Sequence, residues 1–387
     1  MRVRLGVLSA LVLSTVLLAV TVLGCKDRTN GGAATGDIVV GAYNSMSGGT
    51  ADFGTESKRG YDMAFEALNK RGGIKGRRVT LVNLDDQGKA DEAGSAVTRL
   101  IDVNHAVAIL GEVASSLSLV GGRICQRRGV PMISPSRTNT AVTQIGDNVF
   151  RVCFIDPFQG YAMARFAREN LHLDNVAIFK DVRSDYSIGL AQSFREEFTR
   201  AGGHIVVEQS YNQGDTDFGA QLTAIKAANV QAIFVPGYYQ EVGNIARQSR
   251  RLGITVPLLG GDGWDSPQLR TIGGHEIEGS YYSNHFAPDN PSPRGRAFIE
   301  EFRRRYNQAP TSLAAQGYDA ANILFDAMTR ARELTPAAIR AELARTQNFL
   351  GVTGTISMDA NRNPIKPAVV LRVAPNGDVF ETMIEPR

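Results

Sequence analysis

The stretch NVAIFKDVRSDYSIGLAQSFREEFTRAGGHIVVEQS, residues 175–210, contains an apolar segment, a polar loop, an amphipathic segment and a second β-branched segment. The first segment, 175–181, has an uninterrupted apolar centre, VAIF, as expected of a strand that is buried on both faces. The amphipathic segment ends at a Gly-Gly pair suited to a helix C-terminal cap. Two strands joined through one helix pair in parallel. The stretch therefore predicts one βαβ unit.

The same pattern repeats along the chain, with interruptions at 148–160 and 279–295. The tail that starts at Gly354 carries turn signals and predicts antiparallel strands. Strands alternating with helices predict an α/β fold with doubly wound parallel sheets, and the interruptions indicate that the chain crosses between two lobes more than once. The predicted strands are 38–43, 78–84, 106–112, 130–134, 175–181, 204–210, 231–237 and 256–261.

Length and composition are those of an ordinary globular protein. The chain has 387 residues, of which 43% are hydrophobic and 21% charged. At about 150 residues per domain, this length predicts two or three globular units. The formal net charge is +3 and no long basic run occurs, so no nucleic-acid partner is expected.

The N-terminus has the layout of a secretory signal, because Arg2 and Arg4 precede an apolar run over 5–23. The run ends in Val-Leu-Gly-Cys25, which resembles the lipobox of bacterial lipoproteins. That resemblance implies a signal peptide over 1–24, a lipidated Cys25 and a flexible tether over 25–36. It places the protein outside the cytoplasm, anchored to a bacterial membrane. The alternative is a transmembrane helix with an incidental cysteine.

Two cysteines remain after Cys25, at positions 125 and 153. Cys125 is predicted in a helix and Cys153 in a strand of another βα unit. A disulfide requires Cα atoms within about 7 Å of each other, so two buried free thiols are favoured over a bridge.

The loops that follow the strands are the expected binding region, because ligands of open α/β sheets bind beyond the carboxyl ends of the strands. In the first half of the chain these loops are rich in Ser and Thr beside helix starts, which suits an anion. In the second half they offer tyrosines and Asp262, which suit a cation. Facing anion and cation sites predict a zwitterionic ligand. The loops are 44–54, 111–116, 134–140, 181–187, 237–243 and 260–266.

Four segments in this order resemble the substrate-binding proteins of bacterial branched-chain amino acid ABC importers, the leucine/isoleucine/valine-binding family with the type I periplasmic binding fold. They are NSMSGGTADFG (44–54), MISPSRTNTAVTQ (132–144), SDYSIGLAQSF (184–194) and GYYQEVGNIARQSRRLG (237–253). The resemblance implies a monomer without cofactor or metal, which captures a small amino acid between two closing lobes and delivers it to an ABC permease. It also implies two doubly wound parallel-sheet lobes joined by a multi-strand hinge. Lobe 1 would comprise 37–155 and 286–353, and lobe 2 would comprise 156–285 and 354–387.

The resemblance assigns three residues to the ligand's carboxylate side. Ser115 falls where the family donates a hydroxyl, with the neighbouring backbone N–H, to the α-carboxylate. Ser136 through its backbone and Thr138 through its side chain fall where the family completes carboxylate and ammonium binding. From the residues alone, Ser115 and Ser116 could equally cap the helix that follows them.

The resemblance places four further residues around the rest of the ligand. Tyr186 would close over it, Tyr238 would lie near the ammonium, and Phe53 would pack on the ligand's side chain. Asp262 would pair with the ammonium, although the family member compared has glutamate there. The unique tryptophan, Trp264, is expected to reshape the side-chain pocket.

The competing class is an anchored serine hydrolase with Ser115 or Ser116 as nucleophile. A hydrolase of this kind needs a histidine base within hydrogen-bond reach. None of the five histidines is expected in the strand-end loops, and neither a GxSxG elbow nor a metal motif occurs. The sequence therefore favours a binding protein without enzymatic activity. A ligand-sensing subunit, or a binder of an amide, urea or an aromatic acid, remains open.

Overall fold

Two β-sheets with related strand orders organise residues 36–386, the part of the chain that this computed structural model describes. A short hairpin forms a third sheet. The strands are β1 (Ile38–Asn44), β2 (Val79–Asp85), β3 (Ile109–Leu110), β4 (Met132–Ser134), β5 (Val149–Arg151), β6 (Asn175–Asp181), β7 (His204–Tyr211), β8 (Ala232–Phe234), β9 (Leu258–Gly260), β10 (Tyr281–Asn284), β11 (Phe349–Gly351), β12 (Gly354–Ile356), β13 (Ala368–Ala374) and β14 (Gly377–Ile384).

Twelve α-helices connect these strands within the described residues. They are α1 (Ala51–Lys70), α2 (Ala90–Asp102), α3 (Ser115–Arg128), α4 (Ala141–Gln144), α5 (Asp156–Arg165), α6 (Asp185–Arg200), α7 (Gly219–Ala227), α8 (Tyr239–Arg251), α9 (Pro267–Gly273), α10 (Pro293–Tyr306), α11 (Ser312–Arg330) and α12 (Pro336–Ala344).

The first sheet has the order β2-β1-β3-β4-β5, and all its strands are parallel. Helices cover both of its faces. Ile109 belongs to an apolar cluster with Leu100 of α2 and Leu117 of α3. The next residue, Leu110, belongs to a second cluster with Ala64 of α1 and Leu324 of α11. Successive strand residues point to opposite faces, so a strand buried on both sides must be apolar throughout.

The second sheet has the order β14-β13-β10-β9-β8-β6-β7. Its five strands β6 to β10 are parallel and repeat the order of the first sheet, whereas β13 and β14 are antiparallel. The chain passes from the first sheet to the second after β5. It leaves the second sheet after β10, adds helix α11 to the first sheet, and returns through β13.

The sequence predicts most of these elements, and the structure differs from the prediction at β3, at β10 and at the start of α1. Strand β6 has the predicted bounds 175–181, and the predicted antiparallel tail is confirmed. Strand β3 is shorter than the predicted 106–112, because only Ile109–Leu110 pairs with both neighbours. The predicted break at 279–295 contains β10, which is held between β9 and β13.

Helix α1 begins at Ala51, inside the stretch 44–54 that the sequence predicts as a loop. The extra turn contains Gly54, which has low helix propensity. A Cβ atom at Gly54 would lie 2.1 Å from the carbonyl oxygen of Ser45, so only glycine lets this turn pack against the end of β1. Tertiary packing thus extends the helix and carries Phe53 with it.

The predictions made for the N-terminus lie outside the described residues. They are the signal peptide 1–24, lipidation at Cys25 and the tether 25–36, of which only Gly36 is described. No helix within the described residues combines the length and apolar character that a membrane crossing requires.

Helices α1 and α11 are in close backbone contact at Gly60. A Cβ atom at this position would lie 2.1 Å from the carbonyl oxygen of Ala314 and 2.7 Å from the backbone nitrogen of Tyr318. These are backbone atoms, so they cannot move aside as a flexible side chain could. The absence of a side chain at Gly60 therefore sets the distance between the two helices.

Gly60→Ala should lower the free energy of unfolding by about 2 kcal/mol, because overpacking against a fixed backbone forces the helices apart. Urea unfolding measures this loss. Gly94→Ala on helix α2 is the matched control, since its new methyl group would lie 3.5 and 3.7 Å from side-chain atoms of Val120 and Ile124 on α3. The control should be neutral or slightly stabilising. Equal stability of the two variants would contradict the close helix contact.

Candidate functional site

All seven residues predicted to bind ligand line one cavity. Each follows the carboxyl end of a parallel strand, β1, β3 or β4 in the first sheet and β6, β8 or β9 in the second. In both sheets, therefore, the cavity lies at the strand ends where ligands of open α/β folds bind. The seven are Phe53, Ser115, Ser136, Thr138, Tyr186, Tyr238 and Asp262, and Val113, Gly263 and Leu313 complete the lining.

Hydroxyl groups form the first-sheet side of the cavity. Ser115 is the first residue of α3 and is 2% exposed, so the N-terminus of this helix points its free N–H groups toward the cavity. Ser136 and Thr138 lie in the loop after β4, and their hydroxyl oxygens are buried without a hydrogen-bond partner in the protein. Buried polar atoms are nearly always hydrogen-bonded, so these unpartnered hydroxyls indicate a polar ligand.

Arg137 fixes the positions of these hydroxyls. Its guanidinium is fully buried and donates to the Ala114 carbonyl at 3.2 Å and to Ser118 Oγ at 2.8 Å. It also donates to Ser134 Oγ at 2.7 Å. Arg137 thus ties the loop after β4 to the start of α3 through its two Nη groups.

Aromatic rings form the opposite wall. Tyr186 and Tyr238 stack with ring centroids 5.3 Å apart and an interplanar angle of 4°. Phe53, from the first-sheet side, meets Tyr238 edge-on at 5.6 Å. The Tyr186 hydroxyl accepts a hydrogen bond from the Gly263 N–H at 3.1 Å. Burial raises the pKa of both tyrosines, so both hydroxyls stay protonated at neutral pH.

Asp262 places a carboxylate at the cavity, at the start of a 3-10 turn after β9. Gln159 Nε2 donates to its Oδ1 at 2.8 Å, and His285 Nε2 lies 3.1 Å from its Oδ2. Both partner side chains are buried. Neither partner was expected from the sequence. None of the six loops predicted from the sequence contains a histidine, and His285 reaches the site from the segment after β10, a strand that the sequence did not predict.

Asp156 is a further buried acid that sequence reasoning missed. It is the first residue of α5, and its N–H donates to the Thr138 carbonyl at 2.9 Å. Burial, reinforced by the nearby negative charge of Asp262, raises the pKa of Asp156 to about 8. The Asp-Pro pair marked a chain interruption in the sequence. The position of Asp156 at the start of a helix was the signal in the sequence that could have identified it as a candidate site residue.

Leu313 is an apolar residue that lines the cavity from the first turn of α11. It does not lie in a loop after a strand, so the sequence analysis did not select it. Together with Val113 and Phe53 it forms the apolar part of the cavity. Trp264, by contrast, is not among the lining residues. Its indole N–H donates to the Val235 carbonyl at 3.0 Å and its ring packs on Gly260, so the expectation that it reshapes the pocket is wrong.

Ser115 and Ser116 have different environments. Ser115 lines the cavity, whereas Ser116 Oγ accepts a hydrogen bond from the Asp185 N–H at 3.1 Å. Asn139 Nδ2 donates to the carbonyl of the same Asp185 at 2.7 Å. Asp185 is the first residue of α6, which flanks the second sheet. Ser116 and Asn139 therefore join the strand-end loops of the two sheets.

The arrangement does not match that of a serine hydrolase. His285 Nε2 faces Asp262, and no hydrogen bond joins a serine hydroxyl to a histidine ring among residues 36–386. Within the same residues, no group of three or more His, Cys, Asp or Glu side chains could hold a metal ion.

Cys125 and Cys153 are both buried and free, as the sequence predicted. Burial raises the pKa of both thiols, that of Cys153 to about 12. Neither is therefore a reactive thiolate at neutral pH.

Comparison with known proteins agrees with this geometry. Residues 37–378 match a family model described as periplasmic binding protein. The Leu/Ile/Val-binding protein homolog 3 of Brucella melitensis is 30% identical over 312 residues, which cover 80% of this chain and 83% of that protein.

Two solved structures are similar over 90% of this chain and 99% of their own. The leucine binding protein LivK from Thermotoga maritima superposes with a TM-score of 0.87 at 41% sequence identity. The branched-chain amino acid transporter substrate binding protein LivJ from Streptococcus pneumoniae, in complex with isoleucine, gives a TM-score of 0.85 at 33% identity. The strand orders, the shared cavity and a family match over nearly all the described residues lead to one conclusion: this chain belongs to the periplasmic binding protein family.

Proposed function

We propose that this protein captures a small amino acid, branched-chain or closely related, outside the cytoplasm and delivers it to an ABC import permease. One observation carries the proposal: unpartnered hydroxyls and a helix N-terminus face a buried carboxylate across one cavity. A zwitterion placed there has its carboxylate matched by Ser115, Ser136 and Thr138 and its ammonium matched by Asp262. Burying both charges costs much desolvation free energy unless each charge has such a partner.

The apolar part of the cavity supports the proposal that the ligand has an aliphatic side chain. Val113, Leu313 and Phe53 line it, and each is at most 6% exposed. The names of the relatives from Brucella melitensis, Thermotoga maritima and Streptococcus pneumoniae point to the same ligand class.

We further propose that ligand capture closes two lobes. Lobe 1 comprises 37–155 and 286–353, and lobe 2 comprises 156–285 and 354–387. The cavity draws lining residues from the strand ends of both sheets, so a ligand that contacts both favours the closed arrangement. The proposed lipid anchor at Cys25 would keep the protein, as a monomer, near its permease.

A panel of amino acids tests the ligand class. The full-length chain should unfold at a higher temperature with leucine, isoleucine or valine, because a ligand that binds only the folded state stabilises it by about 2.7 kcal/mol at a concentration of 100 Kd. Thermal unfolding monitored by circular dichroism measures the shift. A shift with an amide, urea or an aromatic acid, and with no amino acid, would contradict the proposal.

Asp262→Asn should weaken binding of the responding amino acid about a hundredfold, since loss of one partner of a buried charge pair costs about 2–5 kcal/mol. Isothermal titration calorimetry measures the affinity. The matched control is Asp326→Asn on α11, where the side chain is 43% exposed and pairs only with Arg330 of its own helix. Its affinity should equal that of the wild type. Wild-type affinity in Asp262→Asn would exclude an ion pair between Asp262 and the ligand.

Ser116→Ala tests lobe closure without touching the ligand site. Removing the hydrogen bond to Asp185 should destabilise only the closed form, so the ligand should dissociate about two- to tenfold faster, as expected for one hydrogen bond of about 0.5–1.5 kcal/mol. Stopped-flow displacement measures this rate. Ser95→Ala on the exposed face of α2 is the control and should leave the rate unchanged. An unchanged rate in Ser116→Ala would show that this contact does not hold the closed form.

A further inference from the structure

The Asp262 carboxylate is held by two donors that lie behind the cavity. Gln159 on α5 binds Oδ1 and His285 after β10 binds Oδ2, at 2.8 and 3.1 Å. A carboxylate offers about four lone-pair sites. Two sites are therefore used by the protein and the others are left for a ligand. The two donors fix the plane of the carboxylate before any ligand arrives.

His285 is confined on all sides. Its side chain has no exposed surface, and its ring lies on the ring of Phe154 with centroids 3.7 Å apart. Its Nδ1 is buried without a hydrogen-bond partner. Because Asp262 Oδ2 can only accept, Nε2 must carry the proton. A neutral ring then leaves Nδ1 as a bare lone pair, whereas a charged ring would bury an unsatisfied N–H.

The charged groups around His285 act in opposite directions. Burial lowers the pKa of His285 and Lys366 adds to that effect, while Asp262 opposes it. The Lys366 ammonium donates to Thr353 Oγ1 at 2.7 Å, and burial lowers the pKa of Lys366 to about 8. Asp156 adjoins Asp262 on the α5 side. Gln159, the other partner of Asp262, does not titrate.

We propose that His285 is a positioning residue for Asp262: it holds the carboxylate ready for the ligand's ammonium while its ring is neutral, and its protonation releases that ligand in acid. This inference rests on the proposed function for the identity of the ligand. The pairing of His285 with Asp262 does not depend on it.

The sign of the pH effect follows from the charges. A neutral His285 leaves the Asp262 carboxylate with its full negative charge for an ammonium group. A protonated His285 cancels that charge and repels a cation, so the ligand binds mainly the neutral form. Affinity is therefore greatest above the pKa of His285 and falls as the pH drops through it, by up to about tenfold for each pH unit below that pKa.

The pairing is tested in the ligand-free, full-length chain by NMR titration of the histidine rings. The chain has five histidines, and the signal of His285 is the one missing from His285→Gln. If that variant does not fold, contacts to the Phe154 ring assign the signal. The ring should be the Nε2–H tautomer at about pH 8 and should titrate below the usual value of about 6.5. Asp262→Asn should lower the pKa of His285 further. An Nδ1–H tautomer, or an identical titration in Asp262→Asn, would overturn the proposal.

The consequence for binding is tested by calorimetry with L-leucine between about pH 8 and about pH 5, the range of histidine titration. The wild type should lose affinity in acid. His285→Gln should bind with an affinity that varies less, because glutamine can donate to Asp262 but does not titrate. The matched control, His275→Gln, replaces a ring that is 84% exposed and should behave as the wild type.

The two failures can be told apart. Equal pH dependence in the wild type and His285→Gln would overturn the release role. Absence of L-leucine binding in the wild type at every pH would count against leucine as the ligand. The NMR titration would still decide whether His285 positions Asp262.

Discussion

A charge taken out of water must be matched inside the protein, and at Asp262 the protein leaves that match incomplete. The carboxylate is 9% exposed and has hydrogen-bond donors on both oxygens. Neither donor brings a full positive charge, because Gln159 is neutral and burial disfavours the charged form of His285. The two donors hold the Asp262 carboxylate in place, but they do not balance its negative charge. In the proposed function the ligand's ammonium group supplies the missing positive charge.

The fold meets this requirement by repeating one sheet topology. In each sheet the parallel strands follow the order 2-1-3-4-5, so each has a point where neighbouring connections leave on opposite sides. The first sheet brings helix N-termini and hydroxyls to that point, whereas the second brings tyrosines and a carboxylate. Because the strand ends of both sheets line the cavity, one side of it suits an anion and the other suits a cation. In the proposed function this division of polarity suits a zwitterion.

The two sheets' loops meet through the edge-on contact of Phe53 with Tyr238 and through single hydrogen bonds. Ser116 Oγ accepts from the Asp185 N–H, Asn139 donates to the Asp185 carbonyl, and Ser266 donates to Asp52 on α1. Single hydrogen bonds contribute only about 0.5–1.5 kcal/mol each. Such contacts are weak enough to break when a ligand leaves. The stacked rings of Tyr186 and Tyr238 stay on one side of this boundary and remain preformed.

The amino-acid sequence by itself determined the βαβ repeat, the antiparallel tail and the polarity of each strand-end loop. These features are local, since apolar periodicity and loop composition depend on neighbours along the chain. The family resemblance selected seven residues as candidate ligand contacts, and these seven line one cavity. Their roles toward a ligand are part of the proposal. Tertiary structure alone decided which distant side chains stand behind them. The sequence alone cannot show that His285 after β10 meets Asp262 after β9, because the pairing of β9 with β10 brings them together. For this reason the sequence could suggest Asp262 as a ligand, but only the packing of β10 and α5 could show what holds it, namely His285 and Gln159.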